Sequence, residues 1–527
     1  MIFQLENNQA FSRSMLWDLQ RQYFEKKGFD AWRLGEVPHY VTSNPRIANS
    51  YAELVIGLYK DTKHLLPSDN TEPIYLLEAG AGSGRLGYYL IKQLHRLCDQ
   101  ENIPHHTFCY ILSDFTQRNP DFWKQHPAFQ TYLSEGLADI ALWDMTKQDD
   151  ITLQISGKKI RPGSLGGPLV LIANYVFDSI PQELFYTANG KCSLCKVSLQ
   201  TKRDPAGLSA AELLREISCS YQAADPAGPV FTEPWLNGLL DHYRQQPHEG
   251  YFFFPETGIR SLAHLRSCSE MGLLVITADK GAHEINNIVY TEVPELVKHG
   301  SFSLSVNYHA ISNYAAQSGG FALFPEHRYA SVNTGCIALL NNENPCLQTR
   351  AAFTNRLENS GPDDYFTLYQ YMATQISNMP LKVLLSMLRF SLYDSHLLAH
   401  CLPRLQELGA EMSAPEKEEL ITVMAACWEN YFSLGEKTDL ASEIAAFLYG
   451  INLFDWAVYY FKMSADIYGH DTGTLFNIAA CYQQSGEMEN AKIILDIVLK
   501  KDPDNAEALS LLQDISNELI NTPDYDH

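Results

Sequence analysis

The sequence predicts a doubly wound, Rossmann-like α/β sheet followed by an all-α helical repeat domain. Over residues 74–340, short apolar runs alternate with amphipathic helical stretches. This alternation is typical of βαβ units in a parallel sheet with helices on both faces. Beyond about residue 360 the strand signals stop, and amphipathic helices continue almost to the end.

The pattern divides the chain into three segments. Residues 1–70 are predicted to form an N-terminal helical segment, broken at Pro38 and Pro45, that packs on the α/β domain. The α/β domain covers 71–345 and contains an insertion at about 185–250 that is rich in Ala, Pro, Ser and Gln. The helical domain covers 360–520.

Composition and charge exclude several classes of function. The chain has 527 residues, 46% of them apolar, which allows a large core and excludes disorder as the main state. Its 39 basic and 62 acidic residues give a net charge of -23, which repels nucleic acid and attracts a basic protein or peptide. The sequence shows no signal-peptide pattern, no run of about 18 apolar residues and no cysteine framework. We therefore expect a soluble cytoplasmic protein that binds neither nucleic acid nor membrane.

A glycine-rich turn is the sharpest local signal. The apolar run that begins at residue 74 ends at Glu78 and continues into a helix through Gly80, Ala81, Gly82 and Gly84. Glycines permit positive φ and a close approach of the backbone, and a helix N-terminus presents free N–H groups. Position 85 is Arg where the dinucleotide fingerprint has its third glycine, which disfavours a pyrophosphate ligand. The turn is predicted to hold a ligand, with a purely structural turn as the alternative.

The acid two positions before the first glycine, followed by G-x-G-x-G, resembles motif I of class I methyltransferases that use S-adenosyl-L-methionine. The resemblance implies that Glu78 lies near the amino-acid part of this cofactor and that the loop wraps its methionine and ribose. Asp114 follows the second strand, where a carboxylate suits two ribose hydroxyls because it only accepts hydrogen bonds. Trp143 and Asp144 end the third strand, where the resemblance implies contacts with adenine. Core packing is the alternative for Trp143.

Candidate acceptor residues follow the fourth predicted strand. Asn174 stands at the C-terminal edge of a buried strand, where doubly wound sheets place their chemistry, and Tyr175 and Asp178 follow it. The segment 174–185 resembles the MidA family, whose mitochondrial members are protein arginine methyltransferases that assist assembly of respiratory complex I. Partial matches to the same family occur in its order at 39–53, 273–281 and 303–320.

The resemblance implies methyl transfer to a protein side chain, with arginine as the leading acceptor. Asn174, Tyr175 and Asp178 would line the acceptor side, with Asn174 also near the cofactor. Tyr175 stands where the family carries Glu, although a guanidinium fork is normally matched by carboxylates. Two alternatives therefore stay open. One is a non-catalytic assembly or adaptor protein that binds the cofactor, and the other is a small-molecule methyltransferase with the insertion as a lid.

The C-terminal part repeats itself at an offset of 34 residues. Residues 474–507 resemble a tetratricopeptide repeat at Leu475, Ala479, Tyr482, Gly486, Ala491, Leu495 and Pro503. Such stacks usually bind peptides or partner proteins, so we expect a protein or peptide partner. Capping of the catalytic domain and a homodimer are the alternatives. Cys192 and Cys195 form a lone C-x-x-C, and no histidine pattern accompanies it, so we expect no metal.

Overall fold

The computed structural model describes residues 2–37, 40–67, 71–226, 228–327, 331–341, 344–436 and 438–521. Pro38 and His39, which belong to the predicted N-terminal break and the family-like segment, lie outside the described residues. The chain divides into two compact units, Met1–Thr367 and Leu368–His527. We refer to them as the α/β unit and the helical unit.

All strands of the described residues lie in the α/β unit. They are β1 Phe3–Ala10, β2 Ile74–Glu78, β3 Phe108–Asp114, β4 Ala138–Leu142, β5 Ile151–Thr152, β6 Lys159–Ile160, β7 Leu169–Asn174, β8 Glu183–Ala188, β9 Lys191–Thr201, β10 Ser218–Ala224, β11 Gly250–Phe254, β12 Gly272–Asp279, β13 Gly281–Ala282, β14 Val297–His299, β15 Ser301–Ser303, β16 Val306–Asn307, β17 Phe321–Leu323 and β18 Asn333–Leu340.

The α-helices extend over both units. They are α1 Met15–Lys27, α2 Asp30–Arg33, α3 Pro45–Thr62, α4 Arg85–Glu101, α5 Arg118–Gln125, α6 Pro127–Ser134, α7 Ala210–Glu216, α8 Pro234–Arg244, α9 Glu256–Ser267, α10 Tyr308–Gln317, α11 Leu347–Phe353, α12 Pro362–Gln375, α13 Leu381–Phe390, α14 Ser395–Leu408, α15 Ala414–Glu429, α16 Leu440–Gly450, α17 Phe454–Tyr468, α18 Thr472–Gln484, α19 Met488–Lys501 and α20 Ala506–Asn521.

The main sheet has seven strands in the order β17-β18-β12-β7-β2-β3-β4. The five strands from β12 to β4 are parallel, whereas β18 runs antiparallel to β12 and β17 antiparallel to β18. From β2 the chain proceeds outward to β3 and β4, and then returns to β7 on the other side of β2. The carboxyl ends of β2 and β7 thus form a topological switch point, where doubly wound sheets bind ligands. The predicted fold class is confirmed.

Buried strands explain the strength of the α/β prediction. Every residue of β2, β3 and β12 is buried, as expected for parallel strands that are covered on both faces.

Helix α3 begins at Pro45, and the Asn44 side chain caps it by accepting hydrogen bonds from the N–H groups of Arg46 and Ile47, both at 3.1 Å.

A second, antiparallel sheet is built mostly from the chain between β7 and β12. It has the order β1-β9-β8-β11, and β10 pairs with the other edge of β9. The expectation of a purely helical N-terminal segment was wrong for residues 3–10, which form β1. This segment becomes a strand because it completes the hydrogen bonds along one edge of β9, with Phe3 opposite Thr201 and Ala10 opposite Lys196.

The helical unit contains consecutive helical hairpins. Asp439 caps α16 by accepting from the N–H of Ser442 at 3.0 Å, and Asp471 caps α18 by accepting from Thr474 at 2.9 Å. The last hairpin has a small core of buried apolar side chains: Leu475, Ala479, Ala491, Leu495 and Val498. Its identity as a tetratricopeptide repeat stays a prediction. Among the described residues, none of the helices combines the length and apolar character of a membrane span.

Candidate functional site

The glycine turn after β2 is tied to its neighbours through its backbone. The N–H of Gly82 donates to Asp114 Oδ2 at 3.3 Å, and the indole of Trp123 donates to the carbonyl of Gly82 at 3.2 Å. Gly82 has φ +55°, and a Cβ at this position would lie 2.7 Å from the ring of Trp32. Only glycine therefore fits here, both because of its backbone angle and because Trp32 packs directly on it.

Asp114, at the end of β3, is buried, and three hydrogen-bond donors hold its carboxyl group. Its Oδ1 accepts from the N–H of Thr116 at 2.9 Å, and its Oδ2 accepts from the Asn119 side chain at 2.8 Å and from Gly82. Burial raises the pKa of Asp114 above its usual range, and these donors oppose the shift. The carboxyl group is thus fixed in orientation at the edge of the sheet.

A cavity of about 330 Å³ lies at this edge. Residues at or just beyond the carboxyl ends of four neighbouring strands line it: Gly80 after β2, Asp114 on β3, Trp143 and Asp144 after β4, and Tyr175 after β7. The opposite wall comes from the N-terminal segment and includes Arg13, Trp17, Arg21, Phe24 and Trp32. The cavity therefore occupies the place that the strand order designates for a ligand.

The cavity brings together five of the residues that the sequence singled out, namely Gly80, Asp114, Trp143, Asp144 and Tyr175. The other six, namely Glu78, Ala81, Gly82, Gly84, Asn174 and Asp178, are not part of its lining. Ala81 and Gly84 shape the turn itself, because Gly84 N–H donates to the carbonyl of Ala81 at 2.8 Å and Ala81 N–H donates to Ser113 at 2.9 Å.

Glu78 points into the protein rather than into the cavity. Its Oε2 accepts a hydrogen bond from the hydroxyl of Tyr110 at 3.0 Å, and a Cβ on Gly87 would lie 3.0 Å from the same oxygen. Burial raises the pKa of Glu78 to about 8, even though the hydrogen bond from Tyr110 opposes the shift. Burial therefore favours the protonated carboxyl group, and the Glu78 side chain connects the end of β2 to Tyr110 on β3.

One end of the cavity combines aromatic surface with a carboxylate. Trp143 is buried, and its indole N–H has no hydrogen-bond partner among the described residues. Asn119 Oδ1 is likewise buried without a partner in the described part of the chain. Asp144 Oδ1 accepts from the N–H and the hydroxyl of Thr146 at 3.0 and 2.7 Å, while its Oδ2 forms an ion pair with Arg21. Both atoms are covered by protein, so a ligand in the cavity would reach them only after a local rearrangement.

The other end lies at β7. Asn174 Oδ1 accepts from the hydroxyl of Tyr51 at 2.8 Å, and its Nδ2 is buried without a partner among the described residues. Tyr175 has φ +55°, which is an outlier for a bulky residue, and its N–H donates to the carbonyl of Ala278 at 3.0 Å. Backbone strain of this kind is concentrated at functional sites. Burial raises the pKa of the Tyr175 phenol above its usual range.

Asp178 belongs to a buried carboxyl pair with Asp279, at the end of β12. Asp178 Oδ1 accepts from Ser179 at 2.7 Å, and Asp279 Oδ2 accepts from the N–H of Phe177 at 3.2 Å and from Tyr308 at 3.4 Å. Burial raises the pKa of Asp178 to about 6, and burial together with the Asp178 carboxylate raises that of Asp279 well above its usual range. Both shifts favour the protonated form of the carboxyl group.

Several site residues were not identified from the sequence. Asp279 ends a buried strand, as Asp114 does, and this shared position was the available signal. Tyr51, Arg21 and Trp32 gave no comparable signal, because each reaches the site from a helix far away in sequence. Cys192 and Cys195 are both buried free thiols on β9, and the described residues contain no cluster of metal-ligating side chains.

Comparisons with known proteins give weak structural likenesses. No protein-family model matches the chain, and no curated protein matches it. A candidate methyltransferase from Burkholderia thailandensis, solved bound to S-adenosylhomocysteine, is 15% identical with a TM-score of 0.39, covering 60% of this chain and 73% of that one. An uncharacterized protein of the same superfamily and organism is 13% identical with a TM-score of 0.35, over 59% of this chain and 77% of that one. The CurJ carbon methyltransferase is 10% identical with a TM-score of 0.26, over 55% of this chain and 54% of that one.

Proposed function

We propose that the α/β unit is a methyltransferase that uses S-adenosylmethionine. The observation that carries this proposal is the cavity at the switch point between β2 and β7, which is lined by Gly80 of the glycine turn, Asp114 and Trp143. Asp114 and Asp144 add carboxylate acceptors and Trp143 adds an aromatic side chain to this wall, a combination that suits a ligand with hydroxyl groups and a planar ring.

Different residues of this chain would bind different parts of the cofactor. Asp114 would accept from the ribose hydroxyls, because its carboxylate is fixed at the cavity wall and offers only acceptors. The backbone at Gly80 would pass beside the amino-acid part, and Trp143 with Asp144 would contact the ring. Glu78, which points away from the cavity, would act by holding the turn in place.

When bound, the cofactor supplies a methyl group on a sulfonium, so the protein has to align an acceptor, exclude water and take up a proton. We propose a protein side chain as the acceptor, with arginine as the leading candidate. Tyr175, which lines the cavity, would contact the acceptor. Asn174 and the Asp178 and Asp279 pair, which are not part of the lining, would hold this edge of the sheet in position.

Calorimetric titration of the full chain with S-adenosylhomocysteine tests the cofactor. We expect saturable binding that Asp114→Ala abolishes. Asp121→Ala is the matched control, because Asp121 is an exposed acid on the nearby α5 and should bind as the wild type does. Absence of binding in a folded sample would contradict the proposed cofactor.

Transfer of a labelled methyl group tests the acceptor. The probe is an arginine-containing peptide, with the same peptide carrying lysine as the control and S-adenosylmethionine as donor. We expect label on the arginine peptide, and loss of that label in Asp178→Asn with cofactor binding retained. Label on neither peptide, with the cofactor bound, would contradict a peptidyl arginine acceptor.

We also propose that the helical unit binds a basic protein or peptide. Its sequence has a large excess of Asp and Glu over Lys and Arg. On α17, Trp456 and Tyr459 are 41% and 44% exposed with ring centroids 6.0 Å apart, and Asp455 lies beside them. Exposed aromatic rings next to carboxylates suit arginine and lysine side chains. Fluorescence anisotropy with an arginine-rich peptide should show binding that Trp456→Ala weakens. Tyr371→Ala, which removes an exposed tyrosine of α12, is the control and should leave the binding unchanged.

A further inference from the structure

The side chain of Arg21 lies over Phe115 inside the cavity. Its guanidinium carbon is 4.5 Å from the centroid of the Phe115 ring, and its Nη2 forms the ion pair with Asp144. All three residues line the cavity. Arg21 belongs to α1 and Asp144 follows β4, so this contact joins the N-terminal wall to the edge of the sheet.

The two interactions of Arg21 are those that an adenine ring would make in the same place. A guanidinium is planar, stacks on an aromatic face and donates N–H groups to a carboxylate. Adenine is also planar, stacks on an aromatic face and donates from its amino group. Phe115 and Asp144 can serve only one of the two at a time, because each interaction occupies the same ring face or the same carboxylate oxygen.

We propose that Arg21 is an internal competitor for the ring-binding end of the cavity and thereby sets the affinity of the protein for its cofactor. This inference rests on the proposed function. Binding of the adenosyl group would displace the guanidinium, and the apparent affinity would fall with the fraction of molecules in which Arg21 occupies the place.

The surroundings of Arg21 allow such a displacement. Its side chain is 35% exposed, so the guanidinium has a path to solvent. Asp18 is exposed, lines the same cavity and lies three residues earlier on α1, which places it within reach of the displaced guanidinium. Asp144 would keep its hydrogen bonds from Thr146 and has Lys147 Nζ at 3.9 Å. Neither charge would be left buried and alone.

Replacement of Arg21 should therefore strengthen binding. A partly exposed ion pair and a cation–π contact together correspond to roughly a 3- to 20-fold change in an equilibrium constant. We expect Arg21→Ala to bind both S-adenosylhomocysteine and adenosine more tightly by about this factor. Adenosine is uncharged, so loss of a positive charge alone cannot account for a gain in its affinity.

Two further variants distinguish competition at the ring-binding end of the cavity from other effects of the substitution. Arg21→Lys keeps the charge and loses the planar fork, so it should give an intermediate gain. Lys26→Ala removes an exposed basic side chain of α1 that does not line the cavity, and it should leave adenosine binding unchanged. Arg21→Gln, which keeps two of the three methylene groups of the side chain, replaces Arg21→Ala if the latter fails to fold.

Calorimetry on the full chain decides between the outcomes. Wild-type binding that tightens in Arg21→Ala supports the inference. Binding that weakens or stays the same in Arg21→Ala overturns the inference, because Arg21 would then contact the ligand or lie outside the ligand's position. The proposed function would still stand in that case. No binding of either probe by the wild type or by any Arg21 variant overturns the proposed function and the inference with it.

Discussion

The hydroxyl of Tyr51 donates a 2.8 Å hydrogen bond to Oδ1 of Asn174, so a side chain of α3 fixes the amide at the carboxyl end of β7. Tyr51 is fully buried, and burial raises its pKa, which keeps the phenol neutral and able to donate. The bond turns Asn174 Nδ2 away from Tyr51, where it has no partner among the described residues. The Asn174 amide group is therefore held in a fixed orientation next to Tyr175, whose backbone is strained. A fixed hydrogen-bond donor of this kind can position the methyl-accepting group of a substrate.

Removal of this hydroxyl should destabilise the protein. Tyr51→Phe leaves a buried amide oxygen unpaired, and we expect it to lower the free energy of unfolding by about 1–3 kcal/mol. Tyr59→Phe, on the same helix, is the control and should change it by less than about 0.5 kcal/mol. Urea unfolding followed by near-UV circular dichroism measures both. Equal effects of the two substitutions would show that the bond to Asn174 contributes little.

The contact between Gly82 and Trp32 gives a second prediction. Gly82→Ala should cost about 1–2 kcal/mol from its positive φ and should also displace Trp32, whose ring lies 2.7 Å from the new Cβ. Gly136→Ala is a matched control, because Gly136 has φ +72° and no atoms within 4 Å of a Cβ. We expect similar backbone strain in both variants, but weaker binding of S-adenosylhomocysteine only in Gly82→Ala.

Glu78 should make stability depend on pH. Its pKa is about 8 in the folded protein, above the usual value of 4.5, so the folded state holds this proton more tightly than the unfolded state. The stability that this group contributes is present below pH 4.5 and is lost as the pH rises towards 8. The loss amounts to at most about 1.4 kcal/mol for each pH unit.

Glu78→Gln removes the titration and keeps an acceptor for Tyr110. We expect the variant to gain stability over the wild type as the pH rises from about 5.5 to 8. Urea unfolding at the two pH values measures the gain, and Glu25→Gln, at an exposed position on α1, serves as the control. A difference between Glu78→Gln and wild type that stays constant with pH would contradict a raised pKa at Glu78.

The sequence allowed the sheet and one wall of the cavity to be predicted, and the physical reason is local. Gly80, Asp114, Trp143 and Tyr175 all stand at or just after buried apolar strands, and parallel strands bring their carboxyl ends to one edge. A strand pattern alone gives the position of a residue, but the direction of the last side chain of a strand depends on packing. Glu78 therefore points to Tyr110 instead of into the cavity.

The opposite wall could not be predicted because it depends on docking of the N-terminal segment. Arg21 and Trp32 reach residues of the sheet edge that lie far along the chain, at Asp144 and Gly82. The amphipathic pattern of α1 indicates only that one face is buried, and not what it packs against. For the same reason β1 was missed, since its pairing partner β9 is distant in sequence.

Replacement of each of two buried tryptophans, Trp123 and Trp143, by Phe should change the free energy of unfolding to different extents. Trp123 is fully buried and its indole donates to Gly82, so Trp123→Phe should cost about 1–3 kcal/mol of unfolding free energy. Trp143 lines the cavity with an N–H that has no partner among the described residues. Trp143→Phe removes an unsatisfied donor and should change the unfolding free energy by less than about 1 kcal/mol.

Ligand binding should show the reverse order. If the Trp143 N–H is kept for a ligand, Trp143→Phe should weaken binding of S-adenosylhomocysteine by roughly tenfold, the loss of about one hydrogen bond. Parallel urea unfolding and calorimetric titration of the two variants provide the measurement. A Trp143→Phe protein that is strongly destabilised but binds as the wild type does would assign Trp143 to the core and leave the ring end of the cavity without its donor.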